Sequence, residues 1–142
     1  EHNLLTNGTH VMDLKIKVFK KNKLQKAANI ILDNHLYIKG WDLEPTVRII
    51  ADLVDDTFDR IAIAYLGKKP VGCAVHTNQY YMNQNWIMCF VDEDHRKDGI
   101  GLELVKAFKV PLFNYGYGSD GSVTFWRKTV KACKEEFSIE TV

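Results

Sequence analysis

The stretch that decides the fold covers residues 86–108 and reads WIMCFVDEDHRKDGIGLELVKAF. Its first six residues are apolar or sulfur-bearing and carry no charge, which predicts a buried β-strand. Ile100, Leu104 and Phe108 then recur at helical spacing, so we expect a helix after the glycines. The basic, glycine-rich turn 96–101 joins the two elements. Such a turn suits an anion, because glycines let the backbone approach closely and the first helical amides point at the ligand.

Two common phosphate-binding motifs do not fit this turn. A Walker loop would need Lys-Ser or Lys-Thr after its last glycine, and Gly101 is followed by leucine. A Rossmann fingerprint would need a third small residue where Leu104 stands. What remains is Arg-x-x-Gly-x-Gly, formed by Arg96, Gly99 and Gly101, five residues beyond a strand that ends at Val91. On its own, this pattern also fits an ordinary strand-to-helix connection whose glycines relieve backbone constraints.

In this setting, the Arg-x-x-Gly-x-Gly pattern resembles the acetyl-CoA-binding motif of the GNAT superfamily of acyl-CoA-dependent N-acyltransferases. The resemblance implies an α/β fold with a central mixed, mostly antiparallel sheet flanked by helices. It also implies acetyl-CoA as cofactor and direct acetyl transfer, within a ternary complex, to a primary amine of a small molecule or a protein. The residues implied to bind the cofactor are Arg96, Lys97, Asp98, Gly99, Ile100 and Gly101 around the pyrophosphate, and Cys89, Phe90 and Val91 in the strand.

The strand is implied to act mainly through its backbone. Cys89 and Val91 would expose main-chain groups where two parallel strands splay apart, so that pantetheine hydrogen-bonds like an added strand. Cys89 need not be a nucleophile, because direct transfer requires no acyl-enzyme.

The residues that move protons are harder to assign. Many family members carry a tyrosine on the last helix that protonates the CoA sulfur, and the implied alignment places Trp126 there. An indole N–H is no acid, so Tyr117 or Tyr115 in the preceding segment is the substitute, with Tyr117 preferred. His76 is the candidate base, because histidine titrates near neutral pH. The alternatives are a loop aromatic that covers the core for Tyr117 and a satisfied structural residue for His76.

The rest of the chain predicts the elements that the resemblance requires. Alternation of apolar residues and lysines predicts a half-buried strand, helical periodicity predicts two helices after it, and a Gly-Lys-Lys-Pro turn joins two further strands. We expect a flexible lead-in over residues 1–12 and a single domain over 13–142. The predicted elements are strands at 14–19, 60–66, 71–77 and 112–115, and helices at 22–35, 44–56 and 122–136.

Composition limits the classes of partner that we expect. The chain has 142 residues, enough for one domain with a core, and its net charge of +1 indicates neither a nucleic acid nor an anionic membrane as partner. No apolar run is long enough to span a membrane, and no signal peptide is expected. Cys73, Cys89 and Cys133 are odd in number and widely spaced, which predicts buried thiols, no metal site and a cytoplasmic protein. A homo-oligomer is possible.

Three functions remain open at this point. The first is an active N-acetyltransferase, and the second is a catalytically silent GNAT-fold protein with a structural or regulatory role in an assembly. The third is a small module that binds another phosphorylated ligand through the same turn. Tyr80, Tyr81 and Trp86 are candidates for an acceptor groove, although aromatic residues around a hairpin also serve as packing residues. The acceptor amine is therefore not identified by sequence.

Overall fold

A computed structural model of the chain describes residues 3–7, 10–52, 59–77, 84–116 and 122–138. These residues form a six-stranded sheet whose strands follow one another in chain order. All neighbouring strands are antiparallel except the last two, which are parallel. The strands are β1 (Asn3–Asn7), β2 (His10–Lys20), β3 (Arg60–Leu66), β4 (Lys69–Thr77), β5 (Trp86–Val91) and β6 (Asn114–Tyr115). The helices are α1 (Leu24–Asp33), α2 (Leu43–Ala51), α3 (Ile100–Lys106) and α4 (Ser122–Phe137).

Helices cover both faces of the sheet. β3 and β4 are buried along almost their whole length, as expected for strands with helices on both sides. On one face, the buried residues of α1 and α2 form a cluster with Phe19, Ile63 and Val75. On the other face, α3 and α4 share a cluster with Ala74 and Ile87. The mixed, mostly antiparallel sheet flanked by helices is therefore confirmed.

The sequence predicted a flexible lead-in over residues 1–12, and the structure describes part of this stretch as strand. Asn3–Asn7 forms β1, and its partner β2 already begins at His10. The two strands pair in antiparallel register from Asn3↔Leu14 to Asn7↔His10. The polar composition of this stretch did not predict strands. Strand pairing nevertheless satisfies backbone groups whatever side chains the strand carries.

Element boundaries differ by a few residues elsewhere. α1 begins and ends two residues inside the predicted 22–35 stretch, and the predicted end of α2 near residue 56 lies outside the described residues. The short strand predicted at 112–115 is reduced to Asn114–Tyr115. α4 buries Trp126, Thr129 and Cys133, whereas Val123 and Val130 of this helix are only partly buried. No helix among the described residues combines the length and the apolar content needed to cross a membrane.

Candidate functional site

The site is organised by the point at which the two parallel strands stop pairing. Within the described residues, β5 and β6 pair only at Trp86↔Asn114 and Ile87↔Tyr115. β6 ends there, whereas β5 continues to Val91 and stays paired with β4 on its other side. The far half of β5 therefore borders a gap that no strand of the described chain fills.

Alternation along β5 decides which backbone groups face this gap. The Asn114 N–H donates to the Asn85 carbonyl at 2.8 Å, which places the odd-numbered residues on the β6 side. At the other end, the Asp92 N–H donates to a β4 carbonyl at 2.8 Å, which places the even-numbered residues on the β4 side. The backbone groups of Cys89 and Val91 therefore point into the gap. This is the arrangement that the family resemblance implied for these two residues.

The turn after β5 contains two residues in the left-handed conformation. Lys97 has φ 74° and Gly99 has φ 83°, a region that glycine adopts without strain and lysine only rarely. The first helical hydrogen bond of α3 runs from the Glu103 N–H to the Gly99 carbonyl at 3.2 Å. The helix itself therefore offers no acceptor to the N–H groups of residues 100–102. Asp98 is exposed, whereas the Ile100 side chain is buried and only its backbone faces the turn.

Arg96 folds back along the strand. Its Nε–H donates to the Val91 carbonyl at 2.8 Å, and its guanidinium carbon lies 5.4 Å from the centroid of the Phe90 ring. The carbonyl that points into the gap at Val91 is therefore occupied by an arginine side chain. The backbone of Phe90 faces β4 instead, so only its ring belongs to the site.

A pocket of about 120 Å³ opens beside the far half of β5. Its wall joins the segment before α2, the gap-facing half of β5, the end of β6 and the first turns of α4. Most of the described residues that line it are apolar or aromatic, and Asp42 is the charged one among them. They are Ile38, Trp41, Asp42, Leu43, Met88, Cys89, Phe90, Gly116, Ser122, Phe125 and Trp126.

Comparison with known proteins agrees with this geometry. The sequence pattern of the acetyltransferase (GNAT) family matches residues 24–119. The chain belongs to the GNAT family. Aminoglycoside N-acetyltransferase AAC(6')-Iy in complex with CoA superposes with a TM-score of 0.52 and 14% identity, over 94% of this chain and 95% of that one. An acetyltransferase from Thermus thermophilus superposes with a TM-score of 0.50 and 19% identity, over 81% and 83%. At these identities the likeness concerns the fold. Comparison with curated protein sequences gave no match.

Glycine is favoured at the two motif positions, 99 and 101, for different structural reasons. A Cβ at Gly99 would meet nothing within 4 Å, so its positive φ is what favours glycine there. A Cβ at Gly101 would lie 2.6 Å from Cε1 of Phe125 on α4. Glycine at position 101, which the sequence analysis explained by close approach of the backbone to an anion, is thus also required by packing. The close contact that requires glycine at this position is with a helix, and it sets how closely α3 and α4 pack.

Cys89 lines the pocket but is unsuited to act as a nucleophile. Burial of its sulfur raises the pKa of the thiol to about 12. A thiolate is the nucleophilic form of cysteine. Near neutral pH, Cys89 therefore stays a thiol.

His76 lies in a polar network at the end of the gap where β5 and β6 still pair. The residue is 3% exposed, and its Nδ1 lies 3.4 and 3.2 Å from Nε and Nη2 of Arg60. Arginine can only donate, so Nδ1 accepts and the neutral ring carries its proton on Nε2. That N–H donates to Oδ1 of Asn85 at 2.9 Å. Asn85 in turn donates to the carbonyl of Leu112 at 3.3 Å.

The electrostatics of His76 favour a structural role for its side chain over a role as general base. Burial lowers the pKa of the ring, and the charge of Arg60 lowers it further, against an opposing effect of the Asn85 hydrogen bond and Asp59. Both ring nitrogens are engaged with protein groups, and the ring also lies against Phe108 with centroids 5.3 Å apart. His76 does not line the pocket. The geometry makes it a positioning residue that joins β3, β4 and the start of β5.

Of the other positions considered for proton transfer, one lies in the core and another lies outside the described residues. Trp126 is 3% exposed and stacks on Tyr115 with centroids 4.7 Å apart, so the position expected for an acid tyrosine is a packing position here. Tyr117 lies outside the described residues, as do Tyr80 and Tyr81. The sequence did not identify Asp42 and Trp41 as candidate site residues. The one available signal was a Trp-Asp pair directly before a predicted helix start.

We predict that Gly101→Ala destabilises the protein by about 1–3 kcal/mol, the usual range for overpacking, because the new Cβ presses on the Phe125 ring. The cost should shrink when the same change is made in a Phe125→Leu background. Urea denaturation of the four proteins in this double-mutant cycle measures the coupling. Gly116→Ala is the matched control, since its Cβ would make an ordinary 3.6 Å contact. An equal cost of Gly101→Ala in both backgrounds would rule out the Phe125 contact.

For His76, we predict a pH-dependent contribution to stability. Its folded-state pKa is lowered from 6.5, so below that pH the unfolded chain binds a proton that the folded chain does not. The free energy of unfolding should therefore be largest above pH 6.5 and fall as the pH drops below it. His76→Gln keeps an acceptor for Arg60 and a donor for Asn85 and should flatten this decline. Denaturation curves at several pH values test this, with exposed His35→Gln as control. An unchanged slope in His76→Gln would contradict the assignment.

Proposed function

We propose that this GNAT protein is an N-acetyltransferase that moves an acetyl group from acetyl-CoA to a primary amine by direct transfer in a ternary complex. The observation that carries the proposal is the end of β5–β6 pairing after Ile87↔Tyr115. It leaves backbone groups facing a gap, with a glycine turn at one end and a pocket alongside. Family membership supports the reaction class, and this arrangement supports the proposed positions of the pantetheine and the diphosphate.

Pantetheine is proposed to lie in the gap along the edge of β5. Its amides match the alternating donors and acceptors of a strand edge, here the gap-facing groups of Cys89 and Val91. The diphosphate would then meet the turn 96–101, where backbone N–H groups at the start of α3 have no helical acceptor. Arg96 and Lys97 add positive charge at this end. Binding in this mode requires the Arg96 side chain to leave the Val91 carbonyl.

The reaction requires mainly that the amine and the thioester are held next to each other. The amine nitrogen attacks the thioester carbonyl carbon, a C–N bond forms, and the C–S bond breaks to release CoA thiolate. One proton leaves the nitrogen and one is taken up by the sulfur. Since Cys89 stays a thiol near neutral pH, its raised pKa supports direct transfer over an acyl-cysteine intermediate.

The proton donor to the sulfur is proposed to be Tyr117. It follows Gly116, which lines the pocket, and the usual tyrosine position is taken by the buried Trp126. A free thiol has a pKa of about 8.5, so a departing thiolate needs only modest assistance near neutral pH. The amine proton is proposed to leave to water, because the ring nitrogens of His76 are already engaged. The acceptor is proposed to be a small-molecule amine, the substrate class that the name of the superposed aminoglycoside N-acetyltransferase indicates.

One observation favours the alternative of a GNAT-fold protein that binds the cofactor without catalysis. The acid position is filled by an indole packed between aromatic rings, and such a change is compatible with loss of activity. Thiol release from acetyl-CoA across a panel of amines separates the two proposals. Transfer to an amine supports the enzyme, whereas CoA binding with no transfer to any amine supports the silent protein.

In an active protein, we predict that Tyr117→Phe lowers turnover by about 100-fold or more, as expected when a general acid is removed. Trp126→Phe should stay within about tenfold, roughly 1.4 kcal/mol of activation free energy, because it changes packing only. The measurement is steady-state acetyl transfer together with CoA affinity for both variants. Equal turnover of Tyr117→Phe and the parent would remove Tyr117 from the mechanism.

We also predict that Arg96→Ala weakens CoA binding by about 1–3 kcal/mol, the typical loss of a charge-assisted hydrogen-bond partner. Pantetheine, which lacks the diphosphate, should bind the variant no more weakly than the parent, since the change also frees the Val91 carbonyl. Calorimetric titration of both ligands gives the comparison, with exposed Arg127→Ala as the charge-matched control. An equal loss for CoA and pantetheine would mean that Arg96 acts through the structure of the turn.

A further inference from the structure

Asp42 is an exposed residue whose carboxylate makes no hydrogen bond to the helix that it precedes. It stands at the N-cap of α2, yet its side chain makes no capping hydrogen bond. The start of the helix is held instead by Thr46, whose N–H and hydroxyl donate to the Asp42 main-chain carbonyl at 3.3 and 2.9 Å. In the described part of the chain, no hydrogen bond or ion pair involves the carboxylate group itself.

The carboxylate is directed toward the pocket. Its Oδ2 lies 3.6 Å from the position that a Cβ would take at Gly116, just beyond the end of β6. Asp42 and Gly116 both line the pocket, from the α2 side and from the β6 side. A negative charge therefore stands beside the space into which the gap between β5 and β6 opens. That is where the proposed thioester end of the cofactor would lie.

The rest of the described wall is poor in polar groups. Met88, Phe90 and Leu43 are among its apolar residues, and Trp41 and Ile38 are 43% and 37% exposed. An exposed indole offers a flat apolar face and attracts cations over its ring. Among the described lining residues, the one carboxylate and the apolar majority match a ligand with one positive charge and an apolar body. A ligand with several ammonium groups would find one counter-charge among these described residues.

We propose that the acceptor is a monoamine with an apolar or aromatic body, that its ammonium group docks on Asp42, and that its body packs against Trp41. This inference rests on the proposed function and names its substrate class. Asp42 acts here as a specificity-determining residue. The docked ammonium releases one proton to water before the neutral nitrogen attacks the thioester, so Asp42 selects the amine without becoming acylated.

Equilibrium binding of 2-phenylethylamine to the full chain in the presence of CoA is the direct test. We expect Asp42→Asn to weaken this binding by about tenfold or more, because a charge-assisted contact is lost. Asp52→Asn makes the same charge change at the far end of α2 and should leave the affinity unchanged. Spermidine and kanamycin should bind the parent protein more weakly than 2-phenylethylamine. Unchanged affinity in Asp42→Asn, or tighter binding of the polyamines, would overturn the proposal.

Kinetics then separate this inference from the proposed function. For Asp42→Asn, we expect a raised KM for the amine and an unchanged KM for acetyl-CoA. Asp42-dependent binding of 2-phenylethylamine without any acetyl transfer would support the amine site and overturn the enzyme. Acetyl transfer to 2-phenylethylamine with identical amine KM in the parent and Asp42→Asn would overturn the amine site and leave the enzyme standing.

Discussion

The loss of pairing between β5 and β6 after Ile87↔Tyr115 is the constraint on which the site depends. Two parallel strands that paired to the end would satisfy each other's backbone groups and leave no edge for a ligand. Here the second strand stops after two residues, and its last residue stacks on Trp126 of α4. The Tyr115 side chain is thus held against α4, and the gap-facing half of β5 keeps an edge that no described strand covers.

Different interactions hold the two ends of the gap. At the closed end, Arg60 fixes the tautomer of His76, which donates to Asn85, and the Asn85 carbonyl accepts the first β6 amide. At the open end, aromatic packing around Trp126 and the close approach of α3 to α4 at Gly101 leave the pocket between helix and strand. Polar pairing thus fixes the register of the strands, while apolar packing sets the width of the space beside them.

Much of this architecture is predictable from local sequence. The apolar run of β5, the glycine turn and the periodicity of α3 follow from short-range patterns, and together they indicated the family. The roles of Gly101 and His76 were not predictable, because the contacts that explain them come from α4 and β3, which are distant in sequence. Asp42 was missed for the same reason. Only the folded chain places its carboxylate opposite Gly116, and a single acidic residue before a helix otherwise indicates an N-cap.

The central claim is that the far half of β5 is an open edge that receives the cofactor. Residue-resolved amide hydrogen exchange, followed by NMR with and without acetyl-CoA, tests it most directly. In the free protein, the Cys89 and Val91 amides should exchange faster than that of Ile87, which lies in the paired half of the strand. Acetyl-CoA should slow exchange at Cys89 and Val91 and leave Ile87 nearly unchanged. Equal protection of the three amides in the free protein, or no change at Cys89 and Val91 on saturation with acetyl-CoA, would contradict the account.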